Sequence, residues 1–177
     1  MRVGISITSG YPGVSGAEAV QWVIERGQAA ARAELDHLSL GDQHATGPMP
    51  YVQNVPTVGR IMADWPDDRP IGLLLLVPLW HPVLAAEQIG TLAAMSEAPF
   101  IVQTGIGGGD GQFAAMAASL RTRGSITDSS IAAIKALLAG EQVDMPERGI
   151  VGARIAPIPK QPVEWWIGSV TASNAID

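Results

Sequence analysis

The sequence predicts an α/β fold on a parallel sheet, and three observations carry that prediction. Short apolar runs alternate with segments whose apolar residues recur at helical spacing, so that a strand–helix unit repeats four times before a fifth strand. The run at 71–77, IGLLLLV, is apolar at successive positions, which suits a strand covered on both faces. Residues 100–113, FIVQTGIGGGDGQF, pass from a buried-looking strand directly into Gly105, Gly107, Gly108, Gly109 and Gly111. Ligands of α/β proteins bind at such strand ends. Right-handed strand–helix–strand winding leaves two architectures, a doubly wound sheet or a (β/α)₈ barrel. A barrel needs about 250 residues and eight strand–helix units, and the 177 residues here, with four units and a fifth strand, supply a little over half of its elements.

The elements follow in order. Residues 2–8 alternate weakly and run into a Gly/Pro/Ser cluster at 9–16, a strand and then a loop. Residues 17–35 form a helix with Val20, Val23, Ile24, Gly27, Ala31 and Leu35 on one stripe, and Ser15 with Glu18 makes a capping box. A second strand at 37–40 leads into a long polar loop, and a helix covers 55–64. After the third strand, Pro82 sits where a helix's first turn tolerates a missing N–H, and Leu84, Ala85, Ile89, Leu92 and Met95 continue that helix. A further helix spans 127–139, with Asp128 near its start and Gly140 past its end. Residues 149–159 read as irregular strand and turn, 162–169 as the fifth strand, and 171–177 as the opening of another helix. The chain stops inside that element, which reads as a truncation.

Composition excludes several functions. With no cysteine there is no disulfide framework, thiolate nucleophile or cysteine metal site. The 11 basic residues are scattered in a chain of net charge −6, which argues against nucleic acid as a partner. The longest apolar run, 71–80, is half of the roughly 20 residues a membrane span needs. A soluble, cytoplasmic protein is expected. Three separated histidines and no paired carboxylates make a metal site unexpected.

Asp42 and His44 follow the second strand in Gly41-Asp42-Gln43-His44. Two residues apart in extended backbone, their side chains leave on the same face. A carboxylate beside an imidazole fixes its tautomer and favours its protonated form, as a proton-handling pair requires. The alternative is a solvated histidine capping the strand end. His81, held extended by Pro82, and His37, at the far end of the second strand, read as structural.

Taken together, MRVGISI, SLGDQH, LLLLVPLWHPVLAAEQIGTLAAMS, FIVQTGIGGGDGQFAAM, TRGSITDSSIAAIKALLAGE and PVEWWIGSVTASNAID resemble the bacterial luciferase-like family of flavin- or deazaflavin-dependent oxidoreductases. The resemblance implies a (β/α)₈ (TIM) barrel, of which this chain is the N-terminal portion. It implies FMN as cofactor, or alternatively a deazaflavin coenzyme, bound at the carboxyl ends of the strands. The activity implied is oxygenation of a small organic substrate by O₂ activated on reduced flavin; the alternatives are deazaflavin-linked hydride transfer and a non-catalytic half-barrel.

The resemblance strengthens His44, with Asp42, as the catalytic pair. It also suggests the flavin ring near Gln103, Thr104, Gly105 and Gly107, where turn geometry alone is the competing explanation. Its phosphate would lie at Ile167, Gly168, Ser169 and Thr171, where the competing explanation is ordinary helix capping. The Ser96-Glu97-Ala98-Pro99 turn departs from the Ser-Gly-Gly-Arg type common before strand four in that family. Similar proteins also carry a non-proline cis peptide near the end of strand three. Bare sheet edges imply a homo-oligomer, and reduced flavin implies a separate flavin reductase.

Overall fold

A computed structural model describes residues 1–168. The main sheet has five strands, all parallel: β1 (Gly4–Ile7), β2 (His37–Leu40), β3 (Ile71–Leu76), β4 (Ile101–Gly105) and β7 (Glu164–Ile167). Four crossovers join them, carrying α1 (Gly16–Arg32), α2 (Asn54–Met62), α3 (Pro82–Ala94) and, after a short α4 (Asp110–Ala115), α5 (Arg123–Leu138). The predicted helix at 171–177 lies outside the described residues.

The strand order β1-β2-β3-β4-β7 follows the chain without reversal. A doubly wound sheet changes direction at a switch point, whereas continuous one-way winding puts every helix on one face and bends the sheet toward a barrel. Side-chain contacts measure that bend. In a flat sheet β7 lies four spacings from β1 and three from β2, about 19 and 14 Å. Yet Arg2 Nη2 is 3.4 Å from Glu164 Oε1, and the rings of His37 and Trp166 meet edge-on at 4.8 Å. These pairs cross the concave face at the amino ends of the strands, as side-chain layers do inside a barrel. The fold is therefore a partial (β/α)₈ barrel.

Strand register separates the two faces. Ile7, Leu38, Leu40, Ile71, Leu73, Leu75 and Val102 are paired in register, point toward the helices and are buried with Ala19, Val23, Val58, Ile61, Ile89, Ile134 and Leu137. The alternate positions face the concave side: Ser6, Ser39, Gly72, Leu74, Leu76, Ile101, Gln103 and Trp166. Two glycines on this side make the tight curl possible. A Cβ on Gly4 would stand 2.1 Å from the His37 ring, and one on Gly72 would stand 2.1 Å from the Ile101 carbonyl oxygen.

Three segments differ from expectation. The glycine loop contains α4, whose first turn begins at Asp110; five nearby glycines hid it, since glycine is a poor helix former. α5 starts four residues before 127, with Arg123–Ile126 forming its first turn. The stretch expected to be irregular includes part of an antiparallel hairpin, β5 (Val143–Met145) with β6 (Ile150–Ala153). Met145 and Ile150 anchor it to the core, and Gly149 takes a left-handed φ of 68° in its turn. The capping box of α1 forms as read: the Glu18 N–H donates to Ser15 Oγ, and the Ser15 N–H to Glu18 Oε2.

Replacing Gly72 by alanine forces a methyl group against backbone that cannot yield. Gly72→Ala is expected to cost about 1–3 kcal/mol, read as a lower denaturation midpoint with unchanged slope. Ser15→Ala, which removes only the cap, is expected to cost about 1 kcal/mol.

Candidate functional site

Asp42 leaves the end of β2 and reaches across to the end of β3. Its Oδ2 accepts the Leu76 N–H at 2.8 Å and the Trp80 indole N–H at 2.7 Å. Leu76 is the last residue of the strand, where an inward N–H has no partner left in the ladder; the carboxylate supplies one. The other oxygen, Oδ1, lies 3.2 Å from His44 Nε2, within ion-pair distance though outside hydrogen-bond geometry, and both atoms are buried. The His44 ring stands edge-on to Trp80, centroids 5.6 Å apart. Its backbone N–H donates to Gln112 Oε1 of α4 at 2.8 Å. Asp42 and His44 thus come together as their spacing suggested, and the glycine-rich segment docks onto them through Gln112.

Tyr51 approaches from the long β2–α2 loop. An isolated antiparallel bridge joins it to Gly10 in the β1–α1 loop, flanked by bonds from the Tyr11 N–H to the Pro50 carbonyl and from the Val52 N–H to the Ser9 carbonyl. Tyr11 is itself held by its hydroxyl on the Thr8 carbonyl, by a hydrogen bond from Arg26 and by the Trp22 ring. Burial, then the charge of Asp42, pushes the Tyr51 hydroxyl above its ordinary range, with the Ser9 hydroxyl pulling the other way.

On β4, the register turns the candidate residues in two directions. Gln103 and Gly105 pair with Leu74 and Leu76 and face the concave side. Thr104 and Ile167 pair with each other and point toward the helix layer. Thr104 is 3% exposed there, so the expectation that its side chain meets a ring in the mouth is corrected; only its backbone lies near, and its carbonyl accepts the Gly168 N–H. Ile167 likewise shows its side chain to the outer face. Gly107, at φ 67°, packs over Phe113 beside Leu76. Gly168 ends the described residues, and Ser169 and Thr171 lie outside them.

His81 is an exposed N-cap without a side-chain cap bond, and His37 stays at the amino end of the sheet. Among the described residues no cluster of His, Asp and Glu has metal-binding geometry. The only cis peptide among them is Ala156–Pro157, and the end of β3 does not carry the non-proline cis bond of similar proteins. The Ser96–Pro99 turn closes on itself through Ser96 Oγ and the Ala98 carbonyl.

The mouth is therefore a flat apolar wall of Leu74 and Leu76, with Gly105 beside it and the Gln103 amide on the same face. Asp42, His44 and Trp80 bound one side. Two cavities of about 380 and 460 Å³ lie elsewhere, between α5 and the segment before β7 and between α1 and α2; neither is lined by Asp42 or His44. Sequence reading missed Trp80, Gln112 and Tyr51. Trp80 had a signal, since it closes the apolar run 71–80 beside His81-Pro82; Gln112 and Tyr51 had none, because loop folding alone brings them in.

Trp80→Phe keeps an aromatic ring, smaller than the indole, and removes one donor from a buried carboxylate. It is expected to cost about 1–3 kcal/mol in a denaturant titration. The phenol absorbance of the two tyrosines is expected to show one titrating above pH 10. Asp42→Asn lowers that midpoint. Because the folded state keeps this proton more tightly than the unfolded chain, stability falls as pH rises from about 10 through the folded value.

The chain can be compared with known proteins. The family model for luciferase-like monooxygenase matches residues 1–176. A search of curated protein sequences finds no match. Among solved structures, similarity is found to the oxygenating constituent of 3,6-diketocamphane monooxygenase from Pseudomonas putida, described as a type II Baeyer-Villiger monooxygenase in complex with FMN. The TM-score is 0.71 at 17% identity, over 81% of this chain and 41% of that one. Monooxygenase RslO1 from Streptomyces bottropensis matches with a TM-score of 0.68 at 19% identity, over 93% of this chain and 50% of that one. An F420-dependent secondary alcohol dehydrogenase in complex with an F420-acetone adduct matches with a TM-score of 0.69 at 14% identity, over 94% and 52%. The chain spans about half the length of these proteins, and at such identities the likeness is one of fold. No helix among the described residues is long and apolar enough to cross a membrane. Strand order, barrel curvature and a family match over nearly every residue agree: the chain belongs to the luciferase-like monooxygenase family.

Proposed function

We propose that this chain forms the N-terminal part of a flavin-dependent oxidoreductase site, with FMN as its cofactor and a small organic molecule as its substrate. One observation carries the reading: the Asp42–His44–Trp80 cluster stands at the carboxyl ends of parallel strands, beside a flat apolar wall and a glycine-rich turn. The residues present fit a flavin. Leu74 and Leu76 offer a flat face, and Gly105 has no side chain to stand between that wall and a ring. Gln103 offers both donor and acceptor to a polar edge. The concave face also holds a buried hydroxyl, Ser39 Oγ, without a partner.

When bound and reduced, such a cofactor supplies the electrons for oxygenation of the substrate by O₂. The protein's part is orientation, exclusion of water and proton handling. His44 holds the proton at its imidazole, with Asp42 against Nε2 and the Trp80 ring in an edge-on contact limiting its freedom to turn. Asp42 serves less as an acid or base than as the anchor of this arrangement, because two donors already occupy its Oδ2. A separate flavin reductase and a homo-oligomeric state belong to the same proposal, as does a cytoplasmic location. The fold likeness to an F420-dependent dehydrogenase favours deazaflavin-linked hydride transfer as the second reading.

Titration of the purified chain with FMN and with a deazaflavin, followed by fluorescence, tests the cofactor. Saturable binding of FMN is expected; binding of the deazaflavin alone selects the second reading, and binding of neither by folded protein overturns both. In an active full-length protein, His44→Ala is expected to lower turnover at least tenfold while cofactor affinity stays within several-fold. Unchanged turnover removes the proton-handling role.

A further inference from the structure

We propose that Gln112 is the positioning residue of this cluster: its amide clasps the glycine-rich segment to the loop carrying His44, and so sets where the imidazole stands. What that placement does for a reaction rests on the proton-handling reading above.

The ring depends on its backbone for its position. His44 Nε2 is 3.2 Å from Asp42 Oδ1 without hydrogen-bond geometry, and neither atom has a hydrogen-bond partner among the described residues. The edge-on Trp80 ring limits rotation but supplies no directional bond. Side-chain contacts alone therefore do not fix the imidazole; the loop that bears it must.

That loop is held in an unfavourable form. Ala45, the next residue, has φ 51°, in the left-handed region where a Cβ crowds the carbonyl that follows. Such a conformation persists where surrounding contacts over-determine it. Two glutamines grip the backbone just before it. Gln53 Nε2 donates to the Gln43 carbonyl at 3.1 Å, and Gln112 Oε1 accepts the His44 N–H at 2.8 Å. Among the described residues that N–H has no other acceptor.

The other end of the Gln112 amide holds the glycine-rich segment. Its Nε2 donates to the Gly108 carbonyl at 3.2 Å, between Gly107 at φ 67° and Gly109 at φ 92°. The six residues of α4 are too few for a helix stable by itself, and burial of Phe113 anchors them to the core. A primary amide carries acceptor and donors in one plane. One side chain thus fixes an N–H of one loop against a C=O of the other, and a displacement of the glycine-rich segment is passed to His44.

NMR of the intact chain tests this without any ligand. At about pH 8.5, above the ordinary range of imidazole titration, the His44 ring signals carry the ring-current shift of Trp80, and those of exposed His81 serve as control. Gln112→Met keeps the length of the side chain and removes both bonds; Gln112→Glu keeps the acceptor and removes the donor. In Gln112→Met the ring-current shift is expected to shrink, and exchange of the His44 amide to quicken about tenfold, the loss of one hydrogen bond. Gln112→Glu is expected to restore both. Gly109→Ala, strained at φ 92°, disturbs the segment directly. It is expected to move the His44 ring signals when Gln112 is present and to leave them where they are in Gln112→Met. Unaltered ring signals in Gln112→Met, with or without a lower melting temperature, overturn the proposal. So does an equal loss in Gln112→Glu, or a Gly109→Ala effect that does not depend on Gln112. The turnover of His44→Ala judges the histidine's role separately, so the clasp and the proton-handling reading can each fail alone.

Discussion

The carboxylate of Asp42 holds the carboxyl end of the sheet in a form that can serve as a site. A parallel strand that outruns its neighbour leaves inward N–H groups with no ladder partner, and a buried N–H without an acceptor is costly. Asp42 takes the Leu76 N–H and, with the same oxygen, the Trp80 indole. Those two bonds tie the loop after β2 to the turn after β3, and they place Trp80 under His44. The rest of the cluster hangs on this contact: Gln112 reaches the His44 backbone from the glycine-rich segment, and Arg148 in the hairpin turn reaches the Trp80 carbonyl at 3.2 Å. Four loops distant in sequence thereby meet around one carboxylate.

The opposite end of the sheet is governed by curvature. Contacts from Arg2 to Glu164 and from His37 to Trp166 span strands that a flat sheet would keep far apart. The exposed Arg2–Glu164 pair contributes little energy by itself. Its importance is geometric, as is that of Gly4 and Gly72, whose missing side chains leave room for His37 and the Ile101 backbone. Curl at the amino end opens the concave face at the carboxyl end, where Leu74, Leu76, Gln103 and Gly105 stand. Stability and site thus divide between the two ends of the same strands, as in barrels generally.

Helices and faces were legible in the sequence because their signals are local. The capping box at Ser15 and Glu18, the proline opening α3 and the apolar run of β3 each act within a few residues, and each took the form read for it. The pairing of Asp42 with His44 was legible for the same reason, being a matter of strand alternation. α4 and the β5–β6 hairpin were not, since a short helix behind a glycine run and a two-strand hairpin draw their stability from burying Phe113, Met145 and Ile150. Thr104 was misplaced because strand parity depends on which side of the sheet the helices cover, and a five-residue strand does not declare that.

By itself the sequence determined the element order, the α/β class and the chemistry available at the strand ends, because periodicity, caps and glycine content are properties of neighbouring residues. Its motifs also pointed to the luciferase-like family. Only the tertiary structure decided between a doubly wound sheet and a barrel, through strand order and the cross-sheet contacts at 3.4 and 4.8 Å. It alone brought Trp80, Gln112 and Tyr51 to the Asp42–His44 pair. Those residues lie in turns and loops whose paths are set by backbone hydrogen bonds to distant segments, and no local pattern encodes where such a loop comes to rest.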